Sequence, residues 1–120
     1  MKGVLLLAHG SRAKQTEETL NKIRDRVMDR MPYLILETAY MEFSEVTIEK
    51  GLLNLAAQGV DDIKVIPYFL FDGIHIKKDI PEELKAFSDQ NPRVKITLGA
   101  TLGADDRLAE IITERIKETE

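Results

Sequence analysis

No cysteine occurs anywhere in the 120-residue chain, which excludes a disulfide framework, a thiolate zinc site and thiol chemistry. Long apolar runs are also missing. The longest is Val4 to Ala8, far short of the roughly 18 residues that suggest a membrane span. The N-terminus carries Lys2 but no apolar stretch of signal-peptide length and no small-residue cleavage site before His9, so a cytoplasmic location is expected. Positive charge is not in excess: 17 Lys and Arg face 21 Asp and Glu, giving a net charge of -4 and a pI of about 5.3. With no basic stripe either, the chain does not read as a nucleic-acid binder. Linkers, low-complexity tracts and internal repeats are absent. Folding at this length removes roughly two-thirds of the accessible surface of the extended chain. Residues 1–120 are therefore expected to form a single domain around one core, without a metal or disulfide staple.

What is present is an alternation of strand and helix signals. The continuous apolar run Val4-Leu5-Leu6-Leu7-Ala8 predicts a buried parallel strand that opens into the loop His9-Gly10-Ser11-Arg12. From Ala13 to Met31, Leu20, Ile23, Val27 and Met31 recur at helical spacing, Pro32 stops the helix, and Ser11 is a candidate N-cap. A second strand over Leu34 to Tyr40 leads into Met41-Glu42-Phe43-Ser44, and Val46, Leu52, Leu53 and Ala56 mark a helix ending at Gly59. The third strand spans Ile63 to Leu70, with Pro67 near its end or where no ladder bond is donated. The loop Phe71 to Lys78 follows. Asp79 to Glu82 reads as a capping-box variant for a helix carrying Leu84 and Phe87. Val94 to Leu98 is the fourth strand, and Leu108, Ile111, Ile112 and Ile116 line a last helix.

Four such pairs predict an α/β fold, a four-stranded mostly parallel sheet with helices on both faces. The expected strand order is 2-1-3-4, with its switch point between strands 1 and 3, where ligands bind outside the carboxyl ends. A sheet this small leaves an edge or face open to a partner subunit. His9 follows the first strand and His75 lies in the loop after the third, so both fall at one crevice.

These are the only two histidines. Neither has a spacing signature, and each alone also fits a solvated or hydrogen-bonded loop residue. Neutral imidazole suits cobalt, nickel, iron or zinc, and two imidazoles with open positions hold a transition metal without enclosing it. A structural zinc site would normally supply four protein ligands. Glu42, after the second strand, can accept a proton or coordinate metal in the same crevice; an exposed loop carboxylate is the other reading.

The segments Leu7-Ala8-His9-Gly10-Ser11-Arg12, Ala39-Tyr40-Met41-Glu42 and Pro67-Tyr68-Phe69-Leu70-Phe71-Asp72-Gly73-Ile74-His75-Ile76-Lys77-Lys78-Asp79-Ile80-Pro81 resemble the small-form sirohydrochlorin cobaltochelatases, a class II chelatase family. The likeness continues through Leu98-Gly99 and Leu102-Gly103 and covers essentially the whole chain. It implies a flavodoxin-like chelatase fold with no permanent cofactor, in which His9 and His75 bind the divalent metal that is the substrate. The implied reaction is insertion of Co2+ into sirohydrochlorin in cobalamin biosynthesis, or of nickel or iron as in close relatives. It also implies a homodimer, two subunits pairing around the tetrapyrrole cleft. One departure is Val46-Thr47, where many relatives carry a proline; the histidine-rich tail of some relatives is absent.

His9, His75 and Glu42 are thus the candidate catalytic residues, one of them taking a pyrrole proton. Sirohydrochlorin carries many carboxylates. Arg12 and Lys77 lie on the histidine-bearing loops as candidate substrate contacts, and helix N-termini there offer N–H groups to anions. Lys78 reads as solvated charge. Gly10, Ser11 and Gly73 sit where the backbone can approach a flat ligand, ordinary turn geometry being the alternative for the glycines. Phe71, with Tyr68 and Phe69, serves either macrocycle contact or core and interface packing. Two other readings share these residues. Phosphoryl transfer through His9 would call for an Arg where Ala8 stands, and a non-catalytic carrier of metal or tetrapyrrole needs overlapping ligands.

Overall fold

In the computed structural model, which describes residues 1–120 apart from the side chain of His75, the apolar run becomes β1 (Lys2–Ala8) at the centre of the sheet. The chain continues through α1 (Lys14–Arg30), β2 (Ile35–Tyr40), α2 (Ile48–Ala57) and β3 (Asp62–Pro67). A π-helical turn (His75–Asp79) leads into α3 (Ile80–Gln90), then β4 (Lys95–Leu98) and α4 (Asp106–Glu118). The sheet order is β2-β1-β3-β4 and every pairing is parallel. Leu7 of β1 lies opposite Ala39 on one side and Pro67 on the other, which fixes the register of the carboxyl edge.

Side chains of a strand alternate between faces, and both faces of β1 are covered. Leu5 and Leu7 point into a cluster with Ile48, Leu52 and Leu55 of α2 and Ile80, Leu84 and Phe87 of α3. Leu6 and Ala8 point the other way, against Leu20 of α1, Leu36 and Tyr40. Burial on both faces is why β1 reads as an unbroken apolar run. The carboxyl ends of all four strands meet at one edge, where the loops bearing the candidate residues converge.

Four local expectations need correction. β3 stops at Pro67, not Leu70. Tyr68 N–H makes one more bond, to the Leu7 carbonyl at 2.7 Å. Beyond it β1 has ended and β4 has reached its last paired residue, Leu98 opposite Val65, so residues 68–70 have no strand to ladder with. Ser11 does not cap α1, since Ala13 occupies that position with no side-chain bond. Asp79 makes no capping bond either: its φ of -65° and ψ of -46° are helical, because the π-helical turn runs straight into α3 and leaves no free N-terminus to cap. α2 starts two residues later than the apolar pattern suggests, with Thr47 as its N-cap accepting from Lys50 N–H at 3.2 Å.

The apolar stripe of α4 faces outward. None of its residues is buried, and Ile112 is 61% exposed. The molecule measures 54 × 33 × 27 Å with a radius of gyration of 15.3 Å, against about 13.6 Å for a compact chain of this length. The helix extends the molecule without adding to its core.

Candidate functional site

The site is built where the loops after β1 and β2 are stitched together. Met41 N–H donates to the Ala8 carbonyl at 3.0 Å and Glu42 N–H to the His9 carbonyl at 3.1 Å. Gly10 makes this approach possible: its φ is +96°, and a Cβ there would collide with the Glu42 carbonyl oxygen. The stitching brings His9 Nε2 to 2.7 Å from Glu42 Oε1, each side chain half exposed. Behind it, the Phe69 ring, partly buried against the larger core, lies tilted to the His9 ring with centroids 6.2 Å apart. Phe69 is therefore a packing residue, as is Tyr68 on the other face.

Ser11 organises its loop. Its hydroxyl accepts from Ala13 N–H at 3.0 Å and shares a 2.7 Å hydrogen bond with the Thr16 hydroxyl. Arg12 is exposed on the same loop, its guanidinium carbon 5.0 Å from the centroid of the Phe43 ring. His9, Gly10, Ser11, Arg12 and Glu42 thus form one group. His75 opens the π-helical turn, but its side chain lies outside the described residues, and with it the expectation that it ligates metal. Lys77 is exposed on that turn. Gly73 has neither a positive φ nor any protein atom within 4 Å of a Cβ built on it, so its backbone is open on that side.

Phe71 lies elsewhere. It is 80% exposed and lines a cavity of about 770 Å³ shared with Leu70, Leu108, Ile111 and Ile112, a lining that does not include His9. Its loop is tied to the β4–α4 loop by the Thr101 hydroxyl donating to Asp72 at 2.7 Å and by Leu102 N–H donating to the Phe69 carbonyl.

The cavity beside His9, about 600 Å³, is walled by Met41, Glu42, Asp79, Glu82, Glu83 and Ala86. The three added carboxylates were not singled out from the sequence. Their signal was present, because positions 79, 82, 83 and 86 share one helical face, but it reads equally well as a capping pattern. Desolvation at the cavity wall pushes the Glu83 carboxyl above its ordinary value, although the residue is exposed overall, and the charges of Asp79 and Glu49 push it the same way. Among the described residues no three His, Asp or Glu side chains come together closely enough to hold a metal ion. A pair that exposed offers an open, incomplete coordination shell.

A family model, CbiX, matches residues 3–119. The chain belongs to the CbiX family. The sirohydrochlorin cobaltochelatase of Methanopyrus kandleri is 32% identical to it over 138 residues, covering 98% of this chain and 96% of that protein. The sirohydrochlorin ferrochelatase of Priestia megaterium is 34% identical over 119 residues, covering 99% of this chain and 45% of that protein, so the CbiX chain spans less than half of that relative. Among solved structures, the sirohydrochlorin chelatase SirB of Bacillus subtilis subspecies spizizenii in complex with cobalt superposes with a TM-score of 0.90 at 28% identity, covering 98% of the CbiX chain and 50% of SirB. The four-stranded parallel architecture is thus that of the family's solved neighbours. No helix among the described residues of the CbiX chain is long and apolar enough to cross a membrane.

Proposed function

We propose that this CbiX protein is a sirohydrochlorin chelatase that inserts a divalent metal, Co2+ foremost, in corrinoid synthesis. The observation that carries the reading is the 2.7 Å pairing of His9 Nε2 with Glu42 Oε1 at the mouth of the acidic cavity. Insertion exchanges the ligands of an incoming ion for four pyrrole nitrogens and releases two N–H protons. An imidazole held by a carboxylate serves both halves of that exchange. A divalent ion that takes the lone pair at Nε2 sends the bridging proton to Nδ1 or to water and releases Glu42 from the imidazole as a carboxylate, so loading the metal and readying a base are one event. The freed Glu42 carboxylate, half exposed, can receive a pyrrole proton and pass it to water. A metal-bound nitrogen cannot act as base at the same time, so His9 holds the ion while Glu42 handles the proton.

His75 is the second metal ligand in this reading, arriving from the loop after β3. Two ligands hold the ion loosely enough to be given up to the macrocycle. The acidic wall of Asp79, Glu82 and Glu83 raises the local concentration of cations. Imidazole and carboxylate accept cobalt, iron and nickel alike. Co2+ is placed first because it is named for the relative that the chain covers almost from end to end. On the substrate side, Arg12 and Lys77 meet peripheral carboxylates of the tetrapyrrole while the loop at Gly10 and Ser11 forms the floor.

The chain acts as one lobe of a homodimer in the cytoplasm. Its outward α4 stripe of Ile111, Ile112 and Ile116, with Leu70 and Phe71 beside it, is apolar surface that a second copy covers. A second lobe also supplies the wall that a broad macrocycle needs.

The test is an anaerobic absorbance assay with sirohydrochlorin and Co2+, Fe2+ or Ni2+ over many turnovers. The proposal expects Co2+ insertion well above the protein-free rate. No acceleration with any of the three metals contradicts it, and stoichiometric binding without turnover points to a carrier.

A further inference from the structure

The residue after Glu42 is in an unusual state. Phe43 has φ +60°, the left-handed region, and is the one non-glycine residue with positive φ among those described. A bulky side chain there is a conformational outlier, whereas glycine adopts the same turn without strain. The loop is pinned on both sides of it. Glu42 N–H is bound to the His9 carbonyl, Ser44 Oγ accepts from Val46 N–H at 3.1 Å, and Tyr40 N–H donates to the Val46 carbonyl at 2.9 Å. Core packing does not account for the phenyl ring, which is 51% exposed and belongs to neither apolar cluster. The Arg12 guanidinium carbon lies over the ring, 5.0 Å from its centroid. A strained backbone therefore holds an exposed aromatic ring on the residue next to Glu42 and stations a permanent cation on it.

We infer that Phe43 is a substrate-positioning residue, its ring bearing on the apolar face or edge of the macrocycle while holding Arg12 for one of the macrocycle's peripheral carboxylates. This rests on the chelatase reading above and adds a residue to it. The chemistry fits a ligand that is flat and apolar in the middle and anionic at its rim. An aromatic ring offers rigid area at little entropic cost. Stacking orients the planar guanidinium, whose donor fork suits a carboxylate. Without the ring, Arg12 becomes a freely rotating surface charge.

The experiment measures binding of metal-free sirohydrochlorin by its absorbance and fluorescence, and then KM and kcat for metal insertion, in wild type, Phe43→Gly, Phe43→Ala and Phe43→Tyr. Phe43→Gly removes the ring and the backbone strain together, so its thermal midpoint should equal or exceed that of wild type. Its Kd and KM for sirohydrochlorin should rise about tenfold, the scale of one lost aromatic contact, with kcat changing far less. Phe43→Tyr should bind within about twofold of wild type. Arg12→Gln should weaken binding in wild type and add little in the Phe43→Ala background, because the two act together. Wild-type affinity in both Phe43→Gly and Phe43→Ala would overturn the inference. So would a loss confined to kcat. If wild type itself inserts no metal, the chelatase reading fails; if wild type turns over and the ring-deleted variants match it, only the role of Phe43 fails.

Discussion

Gly10→Ala tests whether the pairing of His9 with Glu42 depends on the backbone approach that Gly10 permits. Two costs are readable at this position. Placing an alanine in the left-handed region costs roughly 1–2 kcal/mol. The added Cβ also meets the Glu42 carbonyl, and forcing apart packed atoms costs typically about 1–3 kcal/mol. Gly59 separates the two. Its φ of +88° carries similar strain, but the nearest atom to an added Cβ is the end of the Met1 side chain at 3.7 Å, an ordinary contact. Gly59→Ala should therefore lose about 1–2 kcal/mol and Gly10→Ala about 2–5 kcal/mol. At about 4 °C per kcal/mol for a chain of this size, the thermal midpoint of Gly10→Ala should fall roughly 4–12 °C below that of Gly59→Ala. The assay is thermal and urea unfolding of both variants, followed by the rate of Co2+ insertion at a temperature where both are folded. Gly59→Ala should insert metal at the wild-type rate and Gly10→Ala more slowly, because Glu42, the proton acceptor, has been pushed away from His9. Equal destabilisation with unchanged insertion rates in both variants would refute the reasoning.

Thr47→Ala should cost about 1 kcal/mol, because it removes the acceptor for Lys50 N–H at the start of α2; urea midpoints measure this, and Thr47→Ser should recover most of it. Glu83 has a native pKa raised above the ordinary 4.5, so between that value and the native one the folded state binds more protons than the unfolded state. Its contribution is therefore favourable below the ordinary carboxylate value and is lost as pH rises through the native one. Glu83→Gln should be more stable than wild type at neutral pH, with the difference closing towards pH 4; a constant gap across a pH series of unfolding curves would contradict this. Ile112→Asp on the outward face of α4 should leave the monomer folded and shift the light-scattering mass from two chains to one. A wild-type protein already monomeric at assay concentration would remove the dimer from the account.

The fold was legible in the sequence to the extent that burial leaves a pattern. Leu5, Leu6, Leu7 and Ala8 are buried on both faces of a central strand, and an unbroken apolar run is what that environment selects. Strand order and crevice followed from the alternation of elements. Where prediction missed, local chemistry had two solutions that sequence spells alike. Tyr68-Phe69-Leu70 continues a strand by composition, but its neighbours run out of ladder. Asp79 to Glu82 has capping spacing, but the preceding turn is already helical, and the same acids wall the cavity instead. The α4 stripe announced that an apolar face would be covered and could not say whether by the chain's own core or by another molecule. In the site, His9 and Glu42 were legible as candidates because strand ends deliver side chains to the carboxyl edge. Their 2.7 Å contact was not, since it depends on the φ of Gly10 and on two backbone hydrogen bonds across the loops. Phe71, grouped with the substrate contacts, borders a different cavity.

The central claim is that His9 and Glu42 form the metal-handling pair of a sirohydrochlorin chelatase, and anaerobic multiple-turnover insertion of Co2+ by wild type, His9→Ala and Glu42→Gln tests it most directly. The pair is half exposed and outside the core, so both variants should fold with thermal midpoints near that of wild type. The account predicts rapid insertion by wild type, a rate near the protein-free blank for His9→Ala even at high Co2+, and for Glu42→Gln a slowed rate that recovers in part as pH rises and water takes over as base. Full activity in folded His9→Ala and Glu42→Gln would contradict it.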